Sequence, residues 1–478
     1  KNSDLSTNNT LELHSQVTVK EMRYFQYLNF YLPAMYDKNS AMLTVSVAAH
    51  IGGAVVGIGI GGDSSPLRAG ETIKLIGVTD GGVLIGEPLK NGDKVVVRHG
   101  ATLKYECVIG MDMENDVLFA TVAAGGSENT GGSDDAGSSG DTGGSDDAGS
   151  SGGTGGSGDS GDIGGSGNSG GATVTNMAKA LSEGSSANIA AINSGGDLIS
   201  GAGVMPRGSS SEAGSQSFGA TSFGKSRYKT GSYVDSDTLS VLAGVRLAEI
   251  KLGRAALSRG VFAEAGMSSY DTFNYFADEP AVRGSGESNY FGGGLALRAD
   301  YGGNGRGWFY NDASIRFGRA HNSFACDDGI LVSYKTDAPY YGGHIGLGYV
   351  RELKNGASLD IGTKLLWTRL EGDSVTLRTK DPITFARSDS LRARVGARYD
   401  AERFYAGLAY EYEFAGDADA TARGFSIPAP SLKGGTGICE LGFTLGKKNA
   451  PFNADVNISA FTGKRAGFAA GINLNWKF

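Results

Sequence analysis

The side chains that could do chemistry in this chain are few and scattered. Five histidines, His14, His50, His99, His321 and His344, stand far apart, with neither a Gly-x-Ser-x-Gly elbow nor a His-Glu-x-x-His pair beside them. A nucleophile elbow or a zinc-hydrolase helix needs those spacings, so no catalytic or metal-binding pattern emerges. Cys107, Cys326 and Cys439 are widely separated and lack metal-ligand spacing; they read as small apolar side chains. Gly57-Ile58-Gly59-Ile60-Gly61-Gly62 has the glycines of a dinucleotide loop, but Pro66 intervenes and no helix pattern follows. That fingerprint requires a strand, a turn and a helix in sequence. No cofactor, metal or catalytic residue is expected, and the chain is not read as an enzyme.

One charged constellation remains. Arg392, Arg394 and Arg398 oppose Leu391, Ala393, Val395, Ala397 and Tyr399, and in the next run Glu411 and Glu413 oppose Tyr410 and Tyr412. On extended chain, where successive side chains point to opposite faces, three guanidiniums share one face and two carboxylates share a face of the neighbouring run. The chemistry available to them is ion pairing between adjacent strands, which would hold the lumen in shape, and polar contact with a helix placed inside it. If these charges are hydrated, the expectation is that removing one costs little stability.

The elements that must position them are strands. Leu239, Val241, Ala243, Val245 and Leu247 alternate with smaller or polar residues, and so do Leu359, Ile361, Thr363, Leu365 and Trp367. The same holds for Phe404 to Phe414 and for Ala454, Val456, Ile458 and Ala460. A soluble sandwich alternates in the same way. Two features favour a membrane barrel instead: runs of roughly 9–12 residues, as membrane strands require, and the ending of the chain. From Phe468 the chain reads Phe-Ala-Ala-Gly-Ile-Asn-Leu-Asn-Trp-Lys-Phe, which places Ile472, Leu474, Trp476 and Phe478 on one side and Asn473, Asn475 and Lys477 on the other. An alternating strand carried to an aromatic terminus implies a sheet that must close.

Twelve runs can be counted, starting near residues 216, 234, 257, 288, 307, 336, 357, 386, 402, 433, 453 and 466. The even number suits a single-chain outer-membrane barrel, in which the last run would pair with the first. Tight turns are expected at Asp400-Ala401-Glu402 and Thr462-Gly463-Lys464-Arg465, and the longer connection Ala415 to Lys433 is expected on the outer face. Tyr290, Phe291, Tyr301, Trp308, Tyr310, Tyr340, Tyr341, Tyr349, Trp367 and Trp476 cluster at run ends, as interfacial girdles do.

Upstream the composition changes twice. Residues 125–171 hold eight acidic side chains and no Lys or Arg, which accounts for the whole formal net charge of −8. No basic face is left over, so nucleic acid is not an expected partner. From Thr130 a twelve-residue unit, Thr-Gly-Gly-Ser-Asp-Asp-Ala-Gly-Ser-Ser-Gly-Asp, recurs and then decays. With almost nothing apolar to bury, it cannot offset an ordering cost of roughly 1–2 kcal/mol per residue, and it reads as a disordered acidic tether. Before it, Asp93 to Arg98, Thr102 to Ile109 and Asp116 to Val122 read as short strands. The apolar run Thr44 to Gly62 is too rich in glycine and β-branched residues for a membrane helix. After the tether, Val174 to Ile192 reads as a marginal helix of small side chains, weakened at Gly184-Ser185-Ser186 and suited to a narrow polar lumen.

This order of β-rich segment, tether, small-residue helix, about twelve strands and terminal aromatic resembles the C-terminal part of a monomeric (type V) autotransporter, over essentially residues 17–478. The fold class expected is all-β: a twelve-stranded antiparallel transmembrane β-barrel with an N-terminal pore helix, preceded by a disordered linker and a β-rich, β-helix-like passenger end. Four parts follow: residues 1–124 as passenger end, 125–171 as linker, 172–213 as the helical segment in the lumen, and 214–478 as barrel. What the resemblance implies is an outer-membrane translocator that exports and anchors its own passenger at the bacterial cell surface. Its implied partners are outer-membrane lipid, the barrel assembly machinery that reads the terminal signature, and the passenger, with the barrel monomeric. Some relatives cut themselves between adjacent asparagines of the helix; Asn176, Asn188 and Asn193 are isolated, which puts that reaction in doubt here. An outer-membrane pore, with Arg392, Arg394 and Arg398 favouring anions, or a surface adhesin is the alternative. The chain begins at Lys1 without Met or leader, as a fragment or processed form would.

Overall fold

Alternation becomes wall wherever it is sustained. In a computed structural model that describes residues 8–79, 81–89, 91–124, 171–201, 215–276, 280–302, 307–327, 330–353, 356–401, 403–445 and 451–477, twelve antiparallel strands close into a barrel. They are Gln216–Tyr228, Tyr233–Leu252, Ala255–Asn274, Val282–Tyr301, Gly307–Asp327, Leu331–Glu352, Ser358–Leu370, Ser388–Asp400, Phe404–Glu413, Gly434–Leu445, Phe452–Gly463 and Arg465–Lys477. The last strand pairs with the first over its full length, from Gln216 opposite Lys477 to Tyr228 opposite Arg465, so no edge is left open. Phe478, the terminal aromatic of the sequence reading, lies outside the described residues, as do 125–170 of the linker, 202–213 of the helical segment and residue 214 of the barrel.

Strand length departs from expectation. The strands from Tyr233 to Glu352 run 20 to 22 residues, about twice the length read from the sequence. Their outward faces explain the excess. Near the chain terminus they carry Val245, Val261, Leu295, Ile315 and Ile345, exposed as lipid-facing groups must be. Toward the other mouth the outward residues become charged, with Arg227 paired to Asp235 and Arg319 to Asp337, so the wall rises past the apolar band into water. The aromatic clusters divide as well. Phe291, Tyr301, Tyr341, Trp367 and Trp476 face outward, whereas Tyr290, Tyr310 and Tyr340 are buried in the lumen, where their hydroxyls find polar partners.

Helix α1 (Asn176–Ser200) passes through the barrel. At about 1.5 Å per residue its 25 residues reach about 37 Å, more than the ~25 Å apolar band, and it is longer than its sequence suggested. Propensity is overridden by packing: Gly184 sits where the hydroxyls of Tyr334 and Tyr270 approach closely, and any side chain there would meet them. No described helix is long and apolar enough to cross a membrane.

Residues 10–122 form a separate sheet of short strands. Thr10–Leu13, Tyr27–Leu32, Val55–Ile60 and Lys94–His99 stack in parallel, and Val17–Met22, Leu43–His50, Thr72–Val78 and Val83–Ile85 form a second parallel stack. The apolar run Thr44 to Gly62 thus supplies one strand to each stack. An antiparallel hairpin, Leu103–Asp112 with Val117–Val122, joins the stacks, and Leu28, Phe30, Met42, Val45, Leu75 and Tyr105 fill the space between them. The coils of a β-helix closed by a hairpin have this arrangement.

Candidate functional site: the plugged lumen

Thr175 caps the helix by accepting a hydrogen bond from the Ala178 amide, and from there the chain descends through a lumen lined by the inward residues of the wall. Small side chains allow this. Tyr334 donates to the Leu181 carbonyl at 2.7 Å, Ser288 to Asn188 at 2.6 Å, Asn193 to Ser390 at 3.0 Å and Thr230 to Glu183 at 2.9 Å. A polar group taken out of water without a partner costs several kcal/mol, so a polar plug needs a wall that answers it group by group.

The charged seam lies near the foot of the helix. Asp197 receives Arg392 at 2.8 Å, Arg394 at 2.7 Å and Arg465 at 3.0 Å. Glu411 accepts from Arg394 at 2.6 Å and stands 3.4 Å from Arg392. The strand register produces this: Arg394 lies directly opposite Glu411, and Arg392 opposite Glu413. Glu413 turns elsewhere, accepting from the Ser390 hydroxyl and from the Leu391 and Ala415 amides. Arg398 is not in the seam; it pairs with Asp400 two residues along its own strand and lies over the Tyr405 ring. Of the five charges singled out in the sequence, three therefore meet the helix network and two are satisfied locally.

The expectation of hydrated, dispensable charges does not match this geometry. The Arg392 side chain is 6% exposed, and its partners include a helix residue that strand alternation could not suggest. Breaking a buried pair from one side leaves an uncompensated charge, which is where the cost of such pairs lies. A cavity of about 220 Å³ opens beside the helix foot, lined by Asp197, Lys364, Arg394, Arg398, Glu440 and Arg465 among others.

A second seam escaped the sequence reading. Glu264 accepts from Arg316 at 3.0 Å and from the Tyr340 hydroxyl at 2.8 Å, and Arg316 also donates to the helix carbonyl of Ile192 at 3.0 Å. Gly195 and Gly196 make room for these side chains. Glu264 was detectable as the one charge in Val261-Phe262-Ala263-Glu264-Ala265, on the side opposite Val261 and Ala263. Asp197 carried a weaker signal, as the only acidic residue in the second half of the helix.

The outward terminal residues Ile472, Leu474 and Trp476 are exposed, while Asn473 and Asn475 are buried on the lumen side. The histidines do not converge. His14 stacks on Tyr31, His99 is buried against Ser64 and Tyr105, His321 faces Asp337, and His344 meets Ser314. Among the described residues no three His, Cys, Asp or Glu gather in a metal-holding group.

Residues 215–458 match the family described as Autotransporter beta-domain. No curated relative matches the sequence. Among solved structures, the chain is similar to the transport unit of the autotransporter AIDA-I from Escherichia coli, at 12% identity and TM-score 0.44, over 61% of this chain and 98% of that one. It is also similar to the translocator domain of autotransporter NalP from Neisseria meningitidis, at 11% identity and TM-score 0.40, over 63% and 97%. A third, the β-domain of the Bordetella autotransporter BrkA, shares 13% identity with TM-score 0.39, over 55% and 100%.

Proposed function

Because this chain belongs to the autotransporter family by its β-domain, we infer that it is an outer-membrane translocator of type V secretion, with its passenger displayed at the cell surface. The translocator domain is a transport unit, not an enzyme. The observation that carries the reading is the lumen: the chain immediately upstream of the barrel runs through it as α1 and emerges beside the sheet of residues 10–122. A translocator that has finished export is left in this state, with its own chain threading the wall.

Four parts follow from this reading: passenger end 1–124, linker 125–171, lumen segment 172–213 and barrel 214–478. Arg392 and Arg394, held in turn by Glu411, grip the helix through Asp197 and hold the plug. Ile472, Leu474 and Trp476, with Phe478, present the terminal strand to the barrel assembly machinery, and the barrel is monomeric. No catalytic role is assigned to the passenger end.

Planar-bilayer conductance tests the plug. The intact chain should conduct weakly, and deletion of residues 172–201 should open a large steady current. Equal large currents in both would favour a diffusion pore and overturn the translocator reading.

A further inference from the structure

At the mouth where the helix begins, two wall connections rise above the rim as hairpins, Asp373–Thr376 with Pro382–Phe385 and Ala420–Ala422 with Phe425–Ile427, and join into one four-stranded sheet. This sheet touches the passenger through a buried acid. Asp381, with no exposed surface, accepts hydrogen bonds from the Ala101 amide at 2.9 Å, the Thr102 hydroxyl at 2.9 Å and its own neighbour Thr379 at 2.5 Å. Two passenger glycines make way for the turn. A Cβ on Gly62 would lie 1.9 Å from the Thr379 carbonyl oxygen, and one on Gly100, at φ +56°, would lie 2.2 Å from the Asp381 carboxylate.

Around this contact the Arg423 guanidinium donates to the Ser64 carbonyl, Lys380 pairs with Asp63 at 2.8 Å, and Phe425 packs on the passenger core. Just before the helix, Ala172–Val174 pairs as a strand with Leu103–Tyr105, and Thr175 donates to the Ala101 and Thr102 carbonyls. The two flanks of the acidic linker meet here: a Cβ on Gly171 would lie 2.3 Å from the Ala123 carbonyl oxygen. The chain leaves the passenger sheet and returns to it at the same place, so the covalent linker is not what spans from passenger to barrel.

We propose that the two hairpins and the strand Ala172–Val174 form a receptor for the last turn of the passenger, which keeps residues 1–124 bound to the barrel after the linker is cut. The inference rests on the translocator reading for its cellular setting, though the contact is a property of the folded chain alone. Asp381 is its positioning residue, because two donors of the passenger turn, buried at the contact, have it as their acceptor.

The test uses the full chain with a site for a sequence-specific protease inserted between residues 135 and 150. After cleavage on intact cells, the passenger fragment should sediment with the cells, and after cleavage of the detergent-purified protein the two fragments should co-elute. Asp381→Ala, and independently Gly62→Ala from the passenger side, should speed release between about 5- and 150-fold, the range expected when buried donors lose their acceptor or a tight contact is forced apart. Heat-modifiable gel mobility checks that each barrel is folded. Immediate release of the wild-type fragment, or equal retention of wild type and both variants, would overturn the proposal. If the purified fragments co-elute while the site cannot be reached on cells, the receptor stands and the surface orientation falls.

Discussion

Removing the Asp197 carboxylate is the sharpest perturbation of the plug. Three guanidiniums converge on it within 3.0 Å, and Asp197→Ala leaves them with Glu411 and neutral partners such as Ser226, which Arg465 also reaches. In a dry interior, breaking a pair from one side costs about 3–5 kcal/mol. An exposed pair is worth about 0–1 kcal/mol. The seam lies between these limits, with Arg392 6% exposed, Arg465 12% and Arg394 21%, and with the cavity at the helix foot beside it. The expected loss is therefore about 2–3 kcal/mol in barrel stability. Asp197→Asn, which keeps an acceptor but not the charge, should lose about half as much. Urea unfolding in detergent, followed by the mobility difference between folded and unfolded barrel, reads both. The coupling is checked in an Arg394→Met background, where Asp197→Ala should cost visibly less. An unfolding midpoint equal to wild type for Asp197→Ala would show that shape alone holds the helix and would refute the electrostatic account.

Three further outcomes follow from the same structure. Ile472→Arg, on the lipid face, should reduce the assembled, heat-modifiable fraction and cost up to about 2–4 kcal/mol, the range for an arginine at the bilayer midplane, whereas Asn473→Ser on the lumen side should assemble normally. Gly184→Ala should destabilise by about 1–2 kcal/mol in the urea assay, although an ordinary helix gains about 0.5–1 kcal/mol from that change; the new methyl would lie 2.3 Å from the Tyr334 hydroxyl and displace its bond to Leu181. His99 in the sheet of residues 10–122 is fully buried, and burial, reinforced by nearby Arg423, pushes its pKa down to about 4 from an ordinary 6.5. Because the folded value is the lower one, the stability is fully present above about pH 6.5 and is lost as pH falls toward 4, by up to about 3 kcal/mol. Far-ultraviolet circular dichroism of the full chain in denaturant across that interval should show it, and His99→Gln should flatten the dependence.

The starts of the twelve strands were legible to within a few residues except at Val282 and Leu331, because alternation of side chains is a local property of extended backbone. Strand ends were less so. Val282–Tyr301 begins six residues before its apolar alternation does, in a stretch of Gly and Ser that faces water above the membrane band. Aromatic residues misled in part, since Tyr290 and Tyr340 sit at run ends yet point inward, and a tyrosine suits a lipid interface or a polar lumen equally well. The acidic linker was read as a spacer from its composition, which carries no information about where its flanks lie; Ala123 and Gly171 in fact meet.

The sequence by itself determined that the chain closes a twelve-strand wall, which face meets lipid in the strands with clean alternation, and that Arg392, Arg394 and Glu411 turn to the other side. Period two and a paired terminus suffice for that, because a shift of one residue would place every apolar side chain in the lumen. Only the tertiary structure decided which residues the charges meet. Asp197 lies 195 residues from Arg392 and 268 from Arg465, and Ala101 lies 280 from Asp381. Ion pairing and hydrogen bonding depend on distance in space, which no spacing along the chain encodes once the helix and the sheet of residues 10–122 are folded against a closed barrel.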